Sequence, residues 1–379
     1  MRKLVFAMLL VFAMAGVAFA GGTIKIGFFA PLTGFAAADG ASALHAAKLA
    51  VDYVNEKGGV LGKKLELVVY DDGCKSKEAV AIAHKLTEKD KVVAVVSGSY
   101  SGPTRAAAPV YQEAGVPMIS AYAVHPDITK AGNYIFRNGF LGTVEGAAVA
   151  DVVGRQLKAK SVCILTLDND YGRAIANGFK KMAKKLGIKI LAEEHFPMGE
   201  KDFTPYLTKF KELKPEALFI GGYYFHAPAV VQARNLGFTC PIVGEEGFDS
   251  PKFIEIAGKA AEGVIITTNF DRDDPRPLVK WFIKQYKKKY KMDPDMVGAS
   301  SFDSVLIIAD AIKRAGSTDP KKIKDAIASL KDFKGLTGRI RGFTKIGEVI
   351  KPVQVQIVRE GEFHHFGVVD DPEIIVPKE

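Results

Sequence analysis

The sequence lacks the short signatures of the common enzyme classes: it has no HExxH, no GxSxG and no phosphate-binding P-loop. Its seven histidines are scattered. The one adjacent pair, His364-His365, lies in a strand-like segment, where neighbouring side chains point to opposite faces and do not converge on one metal. Neither a metal centre nor a cofactor is expected. Cysteine is scarce: Cys74, Cys163 and Cys240 form no Cys-x-x-Cys pair and no framework of pairs. One disulfide among them stays open, while Cys163, inside Val162-Cys163-Ile164-Leu165, reads as a small buried hydrophobe. Long hydrophobic runs are absent after the first twenty residues. Leu4 to Phe19 is uncharged, follows Arg2 and Lys3, and ends in Ala18-Phe19-Ala20. At about 16 residues it falls short of the roughly 20 that span a bilayer. Residues 1–20 therefore read as a secretory signal peptide cleaved after Ala20, with no cysteine beside the cut to make a lipoprotein.

Without Arg2 and Lys3, 50 basic residues stand against 43 acidic ones, a moderate +7. Much of the excess sits between Lys280 and Lys291, where Phe282, Ile283, Tyr286 and Tyr290 recur at helical spacing. The lysines there read as the wet face of an amphipathic helix, not as a nucleic-acid patch, and no nucleic-acid partner is expected. About 359 residues after the leader are too many for one ordinary core, so two domains are expected.

Strand and helix patterns alternate. Strands are expected at Thr23 to Ala30, Leu65 to Tyr70, Val92 to Val96 and Met118 to Ser120, with helices at Ala41 to Glu56, Lys77 to Glu88 and Ser101 to Ala114. The cycle restarts near residue 141 and runs to a strand at Val264 to Thr268. Three helices follow, between Leu278 and Leu330, and then a β-patterned tail without helices. Such alternation implies an α/β fold of two doubly wound parallel-sheet lobes, with ligands held at the carboxyl ends of the strands. The late helices have no strands between them and are expected to pack back on the first sheet.

The chemistry-bearing residues read as binding groups. Asp71-Asp72 and Asp168-Asn169-Asp170 follow strands, where acids commonly cap turns. Ser97-Gly98-Ser99-Tyr100-Ser101-Gly102-Pro103-Thr104 joins a strand to a helix, and a helix start offers N–H groups and a positive dipole end to an anion such as a carboxylate. The plainer reading is that Ser101 simply caps that helix. Gly244-Glu245-Glu246-Gly247 closes another strand, so a glutamate there is either an ammonium partner or a solvent-facing turn residue. Tyr171 and Tyr223 also fall at strand ends, where a ring can cover an apolar group and still offer a hydroxyl.

Tyr53-Val54-Asn55-Glu56-Lys57-Gly58-Gly59-Val60-Leu61-Gly62, followed by Leu65 to Asp72, resembles a signature of periplasmic binding proteins for branched-chain amino acids, as do Gly199-Glu200-Lys201-Asp202-Phe203-Thr204 and Gly221-Gly222-Tyr223. The resemblance runs from Ile24 to about Val358. It implies a type I periplasmic binding fold, two lobes joined by a three-strand hinge, with lobe 1 over 22–141 plus 270–346 and lobe 2 over 142–269 plus 347–379. It implies a monomeric, non-catalytic carrier in the periplasm that closes on a small amino acid and delivers it to an ABC permease with its ATPase subunits. By the same resemblance Ser101 grips the ligand carboxylate, the backbone at Tyr122 and Val124 contacts both polar ends, Glu246 pairs with the ammonium, and Tyr171 and Tyr223 line the second lobe. The chain departs from the family at Asp39-Gly40, where Tyr-Gly is common, at Val124 in place of a threonine, at bulky Tyr122, and at Tyr100, which faces Cys74 where relatives have a disulfide. Asp39 is open to two readings, a helix cap or a contact for a second polar group of the ligand. Relatives of this fold also take aromatic acids, amides and urea, and Phe35, Tyr100 and Tyr122 would suit an aromatic-lined pocket. Cytoplasmic ligand-sensing regulators share the fold as well.

Overall fold

In the computed structural model, which describes residues 21–377, the strand expected first runs over Thr23–Ala30 (β1). It is followed by α1 (Ala37–Glu56), β2 (Lys64–Asp71), α2 (Ser76–His84), β3 (Ala94–Ser97), α3 (Ser101–Ala114), β4 (Met118–Ser120) and β5 (Ile135–Arg137). These strands form one parallel sheet in the order β2-β1-β3-β4-β5. Residues 26–30 of β1 are all buried, which is why this strand reads as a nearly unbroken apolar run: helices cover both its faces.

The chain then builds a second layer: α4 (Gly142–Asp151), β6 (Ser161–Leu167), α5 (Asp170–Leu186), β7 (Lys189–Phe196), α6 (Thr204–Leu213), β8 (Ala217–Gly221), α7 (Pro228–Asn235), β9 (Ile242–Gly244), α8 (Pro251–Ala257) and β10 (Ile265–Thr268). After it come α9 (Pro277–Tyr290), α10 (Met296–Ala315) and α11 (Pro320–Ala328), which carry no strands between them. As expected, α9 and α10 return to pack against α1 of the first layer. On α9, Val279, Phe282 and Tyr286 are buried, so its lysines do form the outer face. Two small hairpins follow, β11 (Phe333–Gly335) with β12 (Gly338–Ile340) and β13 (Gly342–Phe343) with β14 (Val349–Ile350). β15 (Val353–Arg359) and β16 (Glu362–Val369) then join the second sheet, whose order is β16-β15-β10-β9-β8-β6-β7. The chain therefore crosses between the layers three times: after β5, after β10 and after β14.

The structure departs from the sequence reading in a few places. The second sheet is mixed, because β15 and β16 pair antiparallel at its edge. The tail is not free of helix, since Pro372–Ile375 forms α12, capped by the Asp371 side chain accepting from the Glu373 N–H. β5 is too short, at three residues, to show a period, and α8 was not expected, its only local signal being Ser250-Pro251, a cap followed by a proline at the first helical position. The leader assigned to residues 1–20 lies outside the described residues. All three cysteines are free, and Cys163 is buried within β6 as expected.

Candidate ligand-binding site

Both sheets point the carboxyl ends of their strands at one cleft. In an open α/β sheet the natural ligand position is where successive crossovers leave in opposite directions. Here those points are β1/β3 in the first sheet and β6/β8 in the second. Asp39 follows β1, Tyr100 and Ser101 follow β3, Tyr122 to Val124 follow β4, Tyr171 follows β6, Tyr223 follows β8, and Glu246 follows β9. Eight of the residues singled out in the sequence, all but Phe35, line a single cleft between the lobes. Ala123, Gly247, Asp249, Ser250, Met296 and Val297 complete the lining. Met296 and Val297 escaped the sequence reading because nothing polar marks them. They reach the cleft because Asp295 caps α10, accepting from the Gly298 N–H at 2.8 Å and from the buried Ser42 hydroxyl of α1 at 2.6 Å.

One wall offers donors. The helix α3 begins at Ser101 with no side-chain cap, so Ser101 does not play the capping role its type suggested and its start stays open. Nearby, no protein group bonds the Val124 N–H or the Tyr122 carbonyl among the described residues, while the Val124 carbonyl accepts from the Gly142 N–H at 3.0 Å. The segment is held from behind by Arg137, which donates to the carbonyls of Ala123 and His125 and pairs with Glu348 at 2.8 Å, all in the buried interior.

The other wall is acidic. The two adjacent glutamates separate cleanly. Glu245 is consumed by structure, accepting from the Tyr171 hydroxyl, from Gly222 N–H at 2.8 Å and from Gly247 N–H at 2.7 Å. Gly247 itself has to be glycine, because a Cβ there would lie 2.1 Å from the Gly222 carbonyl oxygen. Glu246 faces the cleft. Its Oε2 accepts from Asn269 at 2.9 Å, and no protein donor reaches Oε1 among the described residues. Behind it stands Glu145 of α4, which accepts the Glu246 N–H at 2.9 Å and leaves its second oxygen buried and unpaired. Burial, with the neighbouring glutamates adding to it, raises the carboxyls of Glu145 and Glu246 well above the usual range. Lys351, buried at the third crossing, opposes that rise at Glu246, while its own burial lowers it to about 7. Nothing local marks Glu145, which sits in an ordinary helical pattern 101 residues before Glu246.

Asp39 is not a helix cap. The cap position of α1 is Ala36, and Asp39 lies one turn inside, buried, accepting from the Tyr100 hydroxyl at 2.6 Å. Gly40 beside it lets the helix press onto the loop after β1, since a Cβ there would sit 2.0 Å from the Pro31 carbonyl oxygen. Burial pushes the Asp39 carboxyl up to about 7, with Asp295 adding to it and the Tyr100 hydroxyl opposing. Phe35 does not line the cavity. It is 53 % exposed at the outer mouth, edge-on to Phe225 at 6.0 Å. The aromatic wall is made instead by Tyr122, Tyr100, Tyr223 and Tyr171, with Tyr100 stacked on Tyr223 at 4.6 Å across the cleft and Tyr223 on Tyr171 at 4.9 Å.

The lobes also touch at the rim. Asp170, read from the sequence as a turn acid, pairs with Arg105 of α3 at 2.8 Å, and His125 Nε2 lies 3.6 Å away. Both partners of the ion pair are about half exposed, so it is worth at most about 1 kcal/mol. Arg105→Gln is expected to weaken ligand binding by no more than roughly fivefold. That loss should vanish at 1 M salt, where the Debye length is about 3 Å; titration at two ionic strengths checks it.

Residues 23–362 match the family described as periplasmic binding protein. The chain belongs to that family. It is 32 % identical over 348 residues to a leucine-, isoleucine-, valine-, threonine- and alanine-binding protein of Pseudomonas aeruginosa, covering 91 % of this chain and 92 % of that one. A leucine-specific-binding protein of Salmonella typhimurium is 29 % identical over 78 % of this chain and 80 % of its own. Among solved structures, the substrate-binding protein LivJ of Streptococcus pneumoniae in complex with isoleucine aligns with a TM-score of 0.85 at 34 % identity, over 92 % of this chain and 99 % of that one. A solute-binding protein of Rhodopseudomonas palustris in complex with 3,4-dihydroxybenzoic acid aligns with a TM-score of 0.83 at 25 % identity, over 92 % and 97 %. The fold of this binding protein is thus the type I periplasmic binding fold.

Proposed function

We propose that this chain is the carrier of an ABC importer, exported to the periplasm as a monomer, which closes on an α-amino acid and does no chemistry on it. The observation that carries this is the pairing of opposite recognition elements in one cleft: an uncapped helix start with Ser101, the Val124 N–H and the Tyr122 carbonyl on one wall, and the half-unpaired Glu246 carboxylate on the other. The helix start and the Val124 N–H suit a carboxylate, and the Tyr122 carbonyl and Glu246 an ammonium, each buried charge needing its partner. The named ligands of the Pseudomonas and Streptococcus relatives support the same class. We take lobe 1 as 22–141 plus 270–346 and lobe 2 as 142–269 plus 347–379, hinged at the three crossings, with the closed face offered to a permease and its ATPase subunits.

A plain aromatic acid is the second reading, favoured by the four tyrosines and by the Rhodopseudomonas relative. Electrostatics weigh against it. Asp39, Glu246 and Asp249 line the cavity, and among the described residues no Lys, Arg or His does. Asp249 is paired with Arg272, but Asp39 and Glu246 have no cation in contact among the described residues, and a ligand that brings only negative charge would raise their carboxyls further instead of pairing with them. Native mass spectrometry of freshly purified protein, followed by calorimetry against an amino-acid panel, tests the proposal. Failure of every α-amino acid to bind overturns it.

A pH dependence follows from the raised carboxyls. Without ligand, Glu246 is held partly protonated above its ordinary value of 4.5 by burial and by Glu245. An arriving ammonium favours the ionised form, so binding lowers that pKa and releases protons. Affinity should therefore rise as pH increases above 4.5 and level off once the cluster is ionised. Calorimetry in buffers of different ionisation heat measures the release; affinity that falls across this range would contradict the ammonium pairing.

A further inference from the structure

Of the acids that line the cleft, Asp39 alone has its charge answered neither by a protein cation among the described residues nor by the ligand ammonium. Asp295 takes the Ser42 hydroxyl and the Gly298 N–H. Asp249 takes Arg272 and the Thr268 hydroxyl. Glu246 is assigned to the ammonium. Asp39 has the Tyr100 hydroxyl on Oδ2 and no protein donor on Oδ1 among the described residues. An ionised carboxylate has about four lone-pair sites, and one left unmet in a dry site is costly. Asp39 is 7 % exposed, and what it faces is the cavity, beside the apolar side chains of Met296 and Val297 and the rings of Tyr100 and Tyr122.

We infer that Asp39 receives a hydrogen-bond donor carried by the ligand's side chain, so that this carrier prefers α-amino acids bearing a hydroxyl, carboxamide or amino group on a short apolar stem over purely aliphatic ones. This rests on the amino-acid reading above. The apolar surface of Met296 and Val297 packs the stem, and Asp39 reads its tip. Burial and the neighbouring acids push the Asp39 carboxyl up to about 7, so a donor in the site favours its ionised form, whereas a hydrocarbon tip leaves the carboxyl buried against nothing it can bond. A site built to bond a donor rejects the isostere that lacks one, because its own polar group is then stranded.

The test uses two isosteric pairs, threonine against valine and asparagine against leucine, titrated calorimetrically into the mature protein. In each pair the donor-bearing member should bind at least about tenfold tighter. The Asp39→Leu variant should reverse both rankings, and Asp39→Asn should narrow them. Equal or reversed affinities in the unaltered protein overturn the assignment while leaving an amino-acid carrier in place, as does a ranking unchanged by Asp39→Leu. Binding of aromatic acids and of no α-amino acid overturns the carrier reading and this assignment together. The comparison in the unaltered protein needs no variant to fold.

Discussion

Glu246→Gln is expected to weaken binding of an α-amino acid by roughly thirtyfold or more, corresponding to the ~2–5 kcal/mol lost when one partner of a buried hydrogen-bonded charge pair is neutralised. The volume is conserved, so the cleft keeps its shape, and the amide still accepts from or donates to Asn269 where the carboxylate now accepts at 2.9 Å. What disappears is the charge opposite the ammonium. The deaminated analogue, a plain carboxylate, has no ammonium to lose and should bind the variant no worse than the unaltered protein, because no ion pair is broken. Calorimetry with matched amino and deaminated ligands reads the difference directly. Equal losses for both ligands would remove the ammonium role from Glu246 and move it to another group. Glu145→Gln gives a useful contrast: that carboxylate accepts the Glu246 N–H and does not line the cleft, so its replacement should shift the pH profile more than the plateau affinity.

The largest effect on stability is expected from Arg137→Met. Arg137 is fully buried where the chain first leaves the first sheet, pairs with the equally buried Glu348 at 2.8 Å, and supports the carbonyls of Ala123 and His125. Its removal strands a buried carboxylate and two carbonyls. Breaking a buried pair from one side costs about 3–5 kcal/mol. Ligand affinity should fall as well, because the 122–124 segment loses the anchor behind it. Denaturant unfolding with and without ligand separates the two effects. The double variant Arg137→Met/Glu348→Leu should recover part of the stability, since the stranded charge is gone. A destabilisation below about 1 kcal/mol in the single variant would mean that solvent or Lys351 takes over the pairing.

Much of the fold was legible because its signals are local. β6 and β8 coincide with apolar runs of the sequence, and α3 spans Ser101–Ala114, the bounds expected for it. The short β5 and the capped α8 carried too few residues for a period to emerge. The return of α9 and α10 to the first layer followed from a simple shortage of strands between them.

The site divides the same way. Strand ends are local features, and in this fold strand ends are where ligands sit, so Ser101, Tyr122, Tyr171, Tyr223 and Glu246 were within reach of sequence reasoning. Which of Glu245 and Glu246 faces the cleft was not, because it depends on Tyr171 and Gly222, which arrive from other strands. The same holds for Asp39, whose type at a helix start argued for a cap but whose partner, Tyr100, lies 61 residues away, and for Asp170, which meets Arg105 only when the lobes touch. Sequence alone determined the layers and the loops that could hold a solute, since periodicity and turn chemistry act between neighbours. Only the tertiary structure decided which charges are spent on the protein and which are left for the ligand, since burial and pairing across a cleft are properties of segments brought together from distant parts of the chain.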